Sequence, residues 1–112
     1  MYIIKKCNFM SISFNRFIQI AGVIDNDEAQ LLIECGVEYL GFPLQLSFHQ
    51  EDLSEELAAE IIQSLSPPNY GVLITYLDEA DAVVELCEKL GCSIVQLHEK
   101  ISEYELAKLR NS

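Results

Sequence analysis

The sequence predicts an α/β fold: four strand–helix units with parallel strands. Three observations carry it. Apolar runs of strand length alternate with stretches whose apolar residues recur at helical spacing, in the order βαβαβαβα. Helix stops run directly into strand starts, and the stretch Cys35-Gly36-Val37-Glu38-Tyr39-Leu40 is echoed by Leu90-Gly91-Cys92-Ser93-Ile94-Val95. The run Gly71-Val72-Leu73-Ile74-Thr75-Tyr76 is apolar without alternation, the pattern of a strand covered on both faces. Right-handed crossovers make all four strands parallel. Two architectures satisfy this: an open doubly wound sheet, or part of a (β/α)₈ barrel.

The chain is organised around Phe17 to Asp25, an apolar run that stops at Gly22 and gives way to the polar turn Asp25-Asn26-Asp27-Glu28. The first strand is read as Phe17 to Gly22. Asp25 or Asn26 is the N-cap of the first helix, because a short polar side chain there accepts from an orphan amide. Ala29, Leu32, Ile33 and Cys35 form its apolar stripe, and Gly36 is its stop. Val37 to Phe42 is the second strand, ended by Pro43, which has no N–H for a ladder. A loop, Leu44 to Asp52, leads to a second helix with Asp52 and Glu55 in capping-box spacing. Leu57, Ala58, Ile61, Ile62 and Leu65 line one face of it, and Ser66-Pro67-Pro68-Asn69 breaks it. Gly71 to Tyr76 is the third strand. Asp78 is expected to cap a third helix, with Ala80, Val83, Val84, Cys87 and Leu90 inward and Gly91 as stop. Ser93 to Leu97 is the fourth strand. Ser102-Glu103-Tyr104-Glu105 is a capping box opening a fourth helix through Leu109. Residues 1–16 read as an N-terminal extension to a domain of residues 17–112. Within the extension, Tyr2-Ile3-Ile4 and Ser11 to Phe14 have strand character, and Met10 is an alternative start.

Bulk properties narrow the function. A chain of 112 residues suits one domain, and half of it is apolar, enough for a core. The net charge of −11 repels nucleic-acid backbones and anionic lipid, so neither is an expected partner. No apolar run reaches the ~18 residues of a membrane span, and the N-terminus lacks a signal-peptide pattern. Cys7, Cys35, Cys87 and Cys92 form no C-x-x-C pair and fit a reducing compartment, so the cytoplasm is the expected location. His49, His98 and Cys92 share no metal-ligand spacing, and no G-x-G-x-x-G opens the first helix, so neither a metal nor a dinucleotide cofactor is expected.

Four stretches together resemble the phosphoribosylanthranilate isomerases, barrel enzymes of tryptophan biosynthesis. Ile18-Gln19-Ile20-Ala21-Gly22-Val23 resembles their K-I-C-G-I first strand, and Gly36 to Phe42 their G-A-D-x-x-G-F second strand. Gly71-Val72-Leu73-Ile74 resembles V-G-V-F of the third, and Val95-Gln96-Leu97-His98 resembles V-Q-L-H-G of the fourth. The resemblance runs in order from Phe17 to the C-terminus. It implies the N-terminal (βα)₄ half of a TIM (β/α)₈ barrel, with helices outside. Such a half leaves the first and fourth strands with open edges and the inner face of the sheet bare. Open edges invite pairing, so a homodimer through them is an expected assembly.

The family's reaction is an Amadori rearrangement, which needs a general acid to open a sugar ring and a base to take a proton from carbon. The resemblance places Ala21 where the family has its base Cys. The family's acid on strand five and its phosphate site after strands seven and eight lie beyond the matched part. Ser47-Phe48-His49 stands in place of the family's S-P-R loop, and Glu99 follows His98 where the family has Gly. Gln96, His98 and His49 are the implied contacts to a small phosphorylated sugar if the barrel is completed. Each also has a plainer role: Gln96 bonding a neighbouring layer, His98 a backbone group, His49 solvent. The implied activity is therefore isomerase-like, with this chain alone inactive. The alternative is a binding or scaffold protein that dimerises through its sheet edges.

Overall fold

A computed structural model of the chain describes residues 2–5, 19–46, 53–98 and 100–111. Its elements are β1 (Tyr2–Lys5), β2 (Gln19–Ala21), α1 (Asn26–Glu34), β3 (Tyr39–Pro43), α2 (Glu55–Ser64), β4 (Tyr70–Thr75), α3 (Ala80–Leu90), β5 (Ile94–Leu97) and α4 (Glu103–Arg110). They form one sheet in the order β1-β5-β4-β3-β2. The pairs β2–β3, β3–β4 and β4–β5 are parallel, as the strand–helix alternation requires. The four predicted strands are thus β2 to β5, and with α1 to α4 they make the (βα)₄ half of a barrel.

The helices pack on one face of this sheet. Leu40, Phe42, Leu73, Val95 and Leu97 alternate along β3, β4 and β5 toward that side. They meet Ala29 of α1, Ala58, Ile61 and Ile62 of α2, Val83, Leu86, Cys87 and Leu90 of α3, and Leu109 of α4. Each large aliphatic buried here stabilises the fold by about 1.5–3 kcal/mol relative to exposure. Gly71 lets α2 approach: a Cβ there would lie 2.8 Å from Cγ1 of Ile62.

Local signals set the helix ends. Asp25 Oδ1 accepts from Glu28 N at 2.7 Å, and Ser102 Oγ accepts from Glu105 N at 3.1 Å. Gly36 and Gly91 follow α1 and α3 at φ of 88° and 76°, a conformation other residues rarely adopt. Two capping expectations are corrected. Ser54, not Asp52, caps α2, its Oγ accepting from Leu57 N, and Asp52 lies outside the described residues. Asp78 does not cap α3, whose N-cap is Glu79 with no side-chain cap bond of its own. Cys35, expected on the apolar stripe of α1, is exposed. On α3, Leu86 is buried, whereas Val84 is only partly buried.

The edge expectation is corrected as well. The outer edge of β5 is not open. β1 pairs with it antiparallel, with Tyr2 opposite Leu97 and Lys5 opposite Ile94. β2 stands at the other end of the sheet. Nor is the helix-free face bare: Tyr39, Val72, Ile74 and Ile94 form a second buried cluster there. The strand character of Ser11 to Phe14 falls outside the described residues.

Candidate functional site

In parallel α/β folds, chemistry gathers at the C-terminal ends of the strands, where side chains and loop amides converge without disturbing the ladder. Here that rim is formed by Gly22 after β2, Leu44 and Gln45 after β3, Tyr76 after β4 and His98 after β5.

Gln96 and His98 come together. Gln96 is buried on the helix-free face, level with Ile74 of β4. Its Oε1 lies 3.0 Å from Nε2 of His98, so a ring tautomer with the proton on Nε2 donates to it. His98 N donates to Thr75 O at 3.0 Å, continuing the β4–β5 ladder one step beyond the strand. The imidazole itself is exposed and stands edge-on to Tyr76, with ring centroids 6.1 Å apart at 83°. The backbone and the amide thus fix a ring that faces solvent at the rim. It can donate or accept a proton, or bind an anion when charged.

Ala21 ends β2, with its backbone level with Gly41 of β3. Gly22 N and Val23 N both donate to Gly41 O, at 3.2 and 3.3 Å, which bends the chain out of the ladder. Asp25, the nearest carboxylate in sequence, is held as the cap of α1. His49 lies outside the described residues. The sequence reading did not single out Gln45 and Thr75. Gln45 adopts φ 56°, uncommon for a residue with a Cβ, and its carbonyl accepts from Thr75 Oγ1 and Tyr76 N. Gln45 Nε2 also donates to Glu55, tying the rim to the start of α2. Nothing in the pattern Pro43-Leu44-Gln45 signals this turn. Thr75 was legible only as the last residue of an apolar strand.

The remaining reactive groups lie elsewhere. Cys92 and Cys87, the latter on α3, are both buried, and a hydrogen bond to Cys87, with burial, pushes the Cys92 thiol far above its ordinary range. Such a thiol is no nucleophile. Among the described residues, no three His, Cys, Asp or Glu side chains are placed to hold a metal ion. No helix among them is long and apolar enough to cross a membrane.

No protein-family model matches the chain. Curated relatives do. The chain is 30% identical over 97 residues to N-(5'-phosphoribosyl)anthranilate isomerase of Chloroherpeton thalassium, covering 83% of this chain and 42% of that protein. It is 26% identical over 96 residues to N-(5'-phosphoribosyl)anthranilate isomerase 2 of Methanosarcina mazei, covering 85% and 42%. The chain therefore spans less than half the length of the curated relatives it matches. Among solved structures, it superposes on the phosphoribosyl anthranilate isomerase of Thermus thermophilus with a TM-score of 0.74, at 22% identity, over 83% of this chain and 46% of that one. An isomerase solved with reduced 1-(o-carboxyphenylamino)-1-deoxyribulose 5-phosphate gives 0.75, at 22% identity, over 83% and 47%. Coverage of most of this chain and of less than half of each relative fits four βα units of an eight-unit barrel. By these relatives, and by the parallel strands that carry the likeness, the chain resembles one half of a phosphoribosylanthranilate isomerase barrel.

Proposed function

We propose that the chain is phosphoribosylanthranilate isomerase-like in descent and that these 112 residues alone do not carry out the isomerisation. The observation that carries this is Ala21 at the C-terminal end of β2, where the resemblance sets the family's base. An Amadori rearrangement takes a proton from carbon, and a methyl group has no lone pair to receive it. Among the described residues, Asp25 and His98 do not stand in. Asp25 is engaged as the cap of α1, accepting from the amide of Glu28. His98 follows β5, and β4 and β3 lie between that strand and β2. Three strand spacings of about 4.8 Å separate them, far beyond the reach of one proton transfer.

A completed barrel would place Gln96, His98 and His49 toward a small phosphorylated sugar, with acid–base chemistry and no cofactor. The likeness of the chain to a biosynthetic enzyme, together with its reduced buried thiols, supports a cytoplasmic location. The scaffold reading is disfavoured, since β1 occupies one of the two edges through which it would assemble.

Complementation of a tryptophan auxotroph lacking the isomerase tests the reading. With soluble chain verified by immunoblot, the expected result is no growth without tryptophan. Growth would overturn it.

A further inference from the structure

Two helix stops in this chain are built alike and filled differently. After α1, Gly36 takes φ 88° and Val37 N donates to Leu32 O at 3.0 Å. After α3, Gly91 takes φ 76° and Cys92 N donates to Cys87 O at 3.1 Å. A bond of this span, closed over a left-handed glycine, sets the side chain just past the glycine against the one five residues before it. An apolar pair is the ordinary filling of that place, and Leu32 with Val37 is such a pair. In the stop of α3 both positions are cysteine.

The two thiols meet. Cys87 is 4% exposed and Cys92 9%, neither is in a disulfide, and their side chains are hydrogen-bonded to each other. The backbone amides of Leu73 and of Cys92 also hydrogen-bond to the Cys92 sulfur. Groups that hold a metal are themselves held by such outer hydrogen bonds. A cleft of about 210 Å³ reaches Cys92 at the N-terminal rim of the sheet, lined also by Ile62, Leu65, Tyr70 and Ser93. It gives a small ion a way in.

The number of ligands decides which ion. Zinc takes three or four protein ligands. Among the described residues, no third His, Cys, Asp or Glu stands with these two. Soft thiolate sulfur selects Cu(I), and a monovalent ion with a filled d shell accepts two sulfurs in line. Binding moves no electrons. Two S–H protons leave to solvent, and two metal–sulfur bonds form.

We propose that Cys87 and Cys92 form a two-coordinate site for a soft monovalent cation, of the class of Cu(I), at the end of α3. The site lies at the rim opposite Gln96 and His98, and it stands whether or not the chain has any isomerase activity.

Titration with Cu(I) tests it, using the full-length Cys7→Ser/Cys35→Ser chain in oxygen-free buffer against a chromogenic Cu(I) chelator. Those substitutions leave Cys87 and Cys92 as the only thiols. The expected result is one Cu(I) withdrawn from the chelator per chain, with two sulfur neighbours by X-ray absorption. An equal amount of Zn(II) should not displace it. Copying the α1 stop with Cys87→Leu/Cys92→Val should abolish uptake while circular dichroism shows the helix content retained. Cys92→Ser, a smaller change, should weaken binding by more than the roughly 100-fold that loss of an outer hydrogen-bond partner costs a metal site. Copper left on the chelator, or one ion shared by two chains, would overturn the proposal. Uptake unchanged in either variant would do the same.

Discussion

The carboxylate of Glu105 caps a helix that is not its own. Glu105 sits at the third position of α4, where the pattern Ser102-x-x-Glu105 would turn it back on the amide of Ser102. Instead its Oε2 accepts from Ala80 N at 2.7 Å, at the start of α3. Glu79, the N-cap of α3, makes no side-chain cap bond, so α4 supplies what α3 lacks. The negative group also meets the positive end of the α3 dipole. Glu105→Ala should cost about 1–2 kcal/mol, because the amide of fully buried Ala80 loses its partner. Glu105→Gln, which keeps an acceptor, should cost less than half of that. Ser102→Ala should cost about 1 kcal/mol through the local cap alone. Urea denaturation of the three variants orders them, and Glu105→Ala falling within error of wild type would contradict the bridge.

Gly71 is required by α2. A Cβ at this position would sit 2.8 and 3.1 Å from Cγ1 and Cγ2 of Ile62, a β-branched side chain with little rotamer freedom. Gly71→Ala should therefore destabilise by about 1–3 kcal/mol through overpacking. In an Ile62→Ala background the same substitution should cost much less. A double-mutant cycle measured by denaturant titration reads the coupling, and additive effects would show that the strain lies elsewhere.

The thiols sort by burial. Cys35 is exposed, whereas Cys87 and Cys92 are buried. The Cys92 thiol is also held protonated by Cys87 and by desolvation. In a Cys7→Ser background, native protein at pH 8 should give one reactive thiol with Ellman's reagent, and denatured protein three. Adding Cys35→Ser should abolish the native signal. Rapid native labelling of either buried cysteine would contradict the packing of α3 against β5.

Lys89 ties the end of α3 to the start of α2 through Glu55 at 2.9 Å and Glu56 at 3.3 Å. The hydrogen bond from Lys89 holds the Glu55 carboxyl below its ordinary range, and Glu55 in turn raises Lys89. The lowered carboxylate contributes stability above its unfolded pKa, and loses it as pH falls through its folded value below about 4.5. The raised amine contributes below its unfolded pKa and loses that as pH rises through its folded value. The stability difference between wild type and Glu55→Gln should thus be present at neutral pH and fade by pH 3. It should also shrink in high salt, since the Lys89 side chain is about half exposed. Chemical denaturation at the two pH values checks this, and a difference independent of pH would place the effect outside the ion pair.

A chain begun at Met10 lacks β1 and leaves the hydrogen-bonding edge of β5 unpaired. Unpaired edges recruit other strands. Light scattering should show this shorter form self-associating while the 112-residue form does not. Identical masses in solution would mean that β1 does not protect the edge.

What the sequence determined is local. Parallel strand–helix alternation, the glycine stops at Gly36 and Gly91, the Asp25 and Ser102 caps and the apolar stripe of α2 all depend on neighbours within about four residues, where periodicity and short polar side chains act directly. The family likeness, too, was legible from four short strand stretches, and it drew attention to Gln96, His98 and Ala21. What only the tertiary structure decided joins distant segments. Sequence pattern gives Tyr2-Ile3-Ile4 strand character, but whether that strand pairs at all, and in which direction, depends on a free edge created by β5. The Ser102–Glu105 pattern likewise does not reveal that an unsatisfied amide 25 residues upstream would claim the carboxylate. The Gln96–His98 contact was hidden for the same reason: it depends on the alternation of β5 and on His98 N reaching Thr75 O beyond the strand end. Backbone donors must be satisfied wherever the fold brings them, and the partner is whichever acceptor packing delivers.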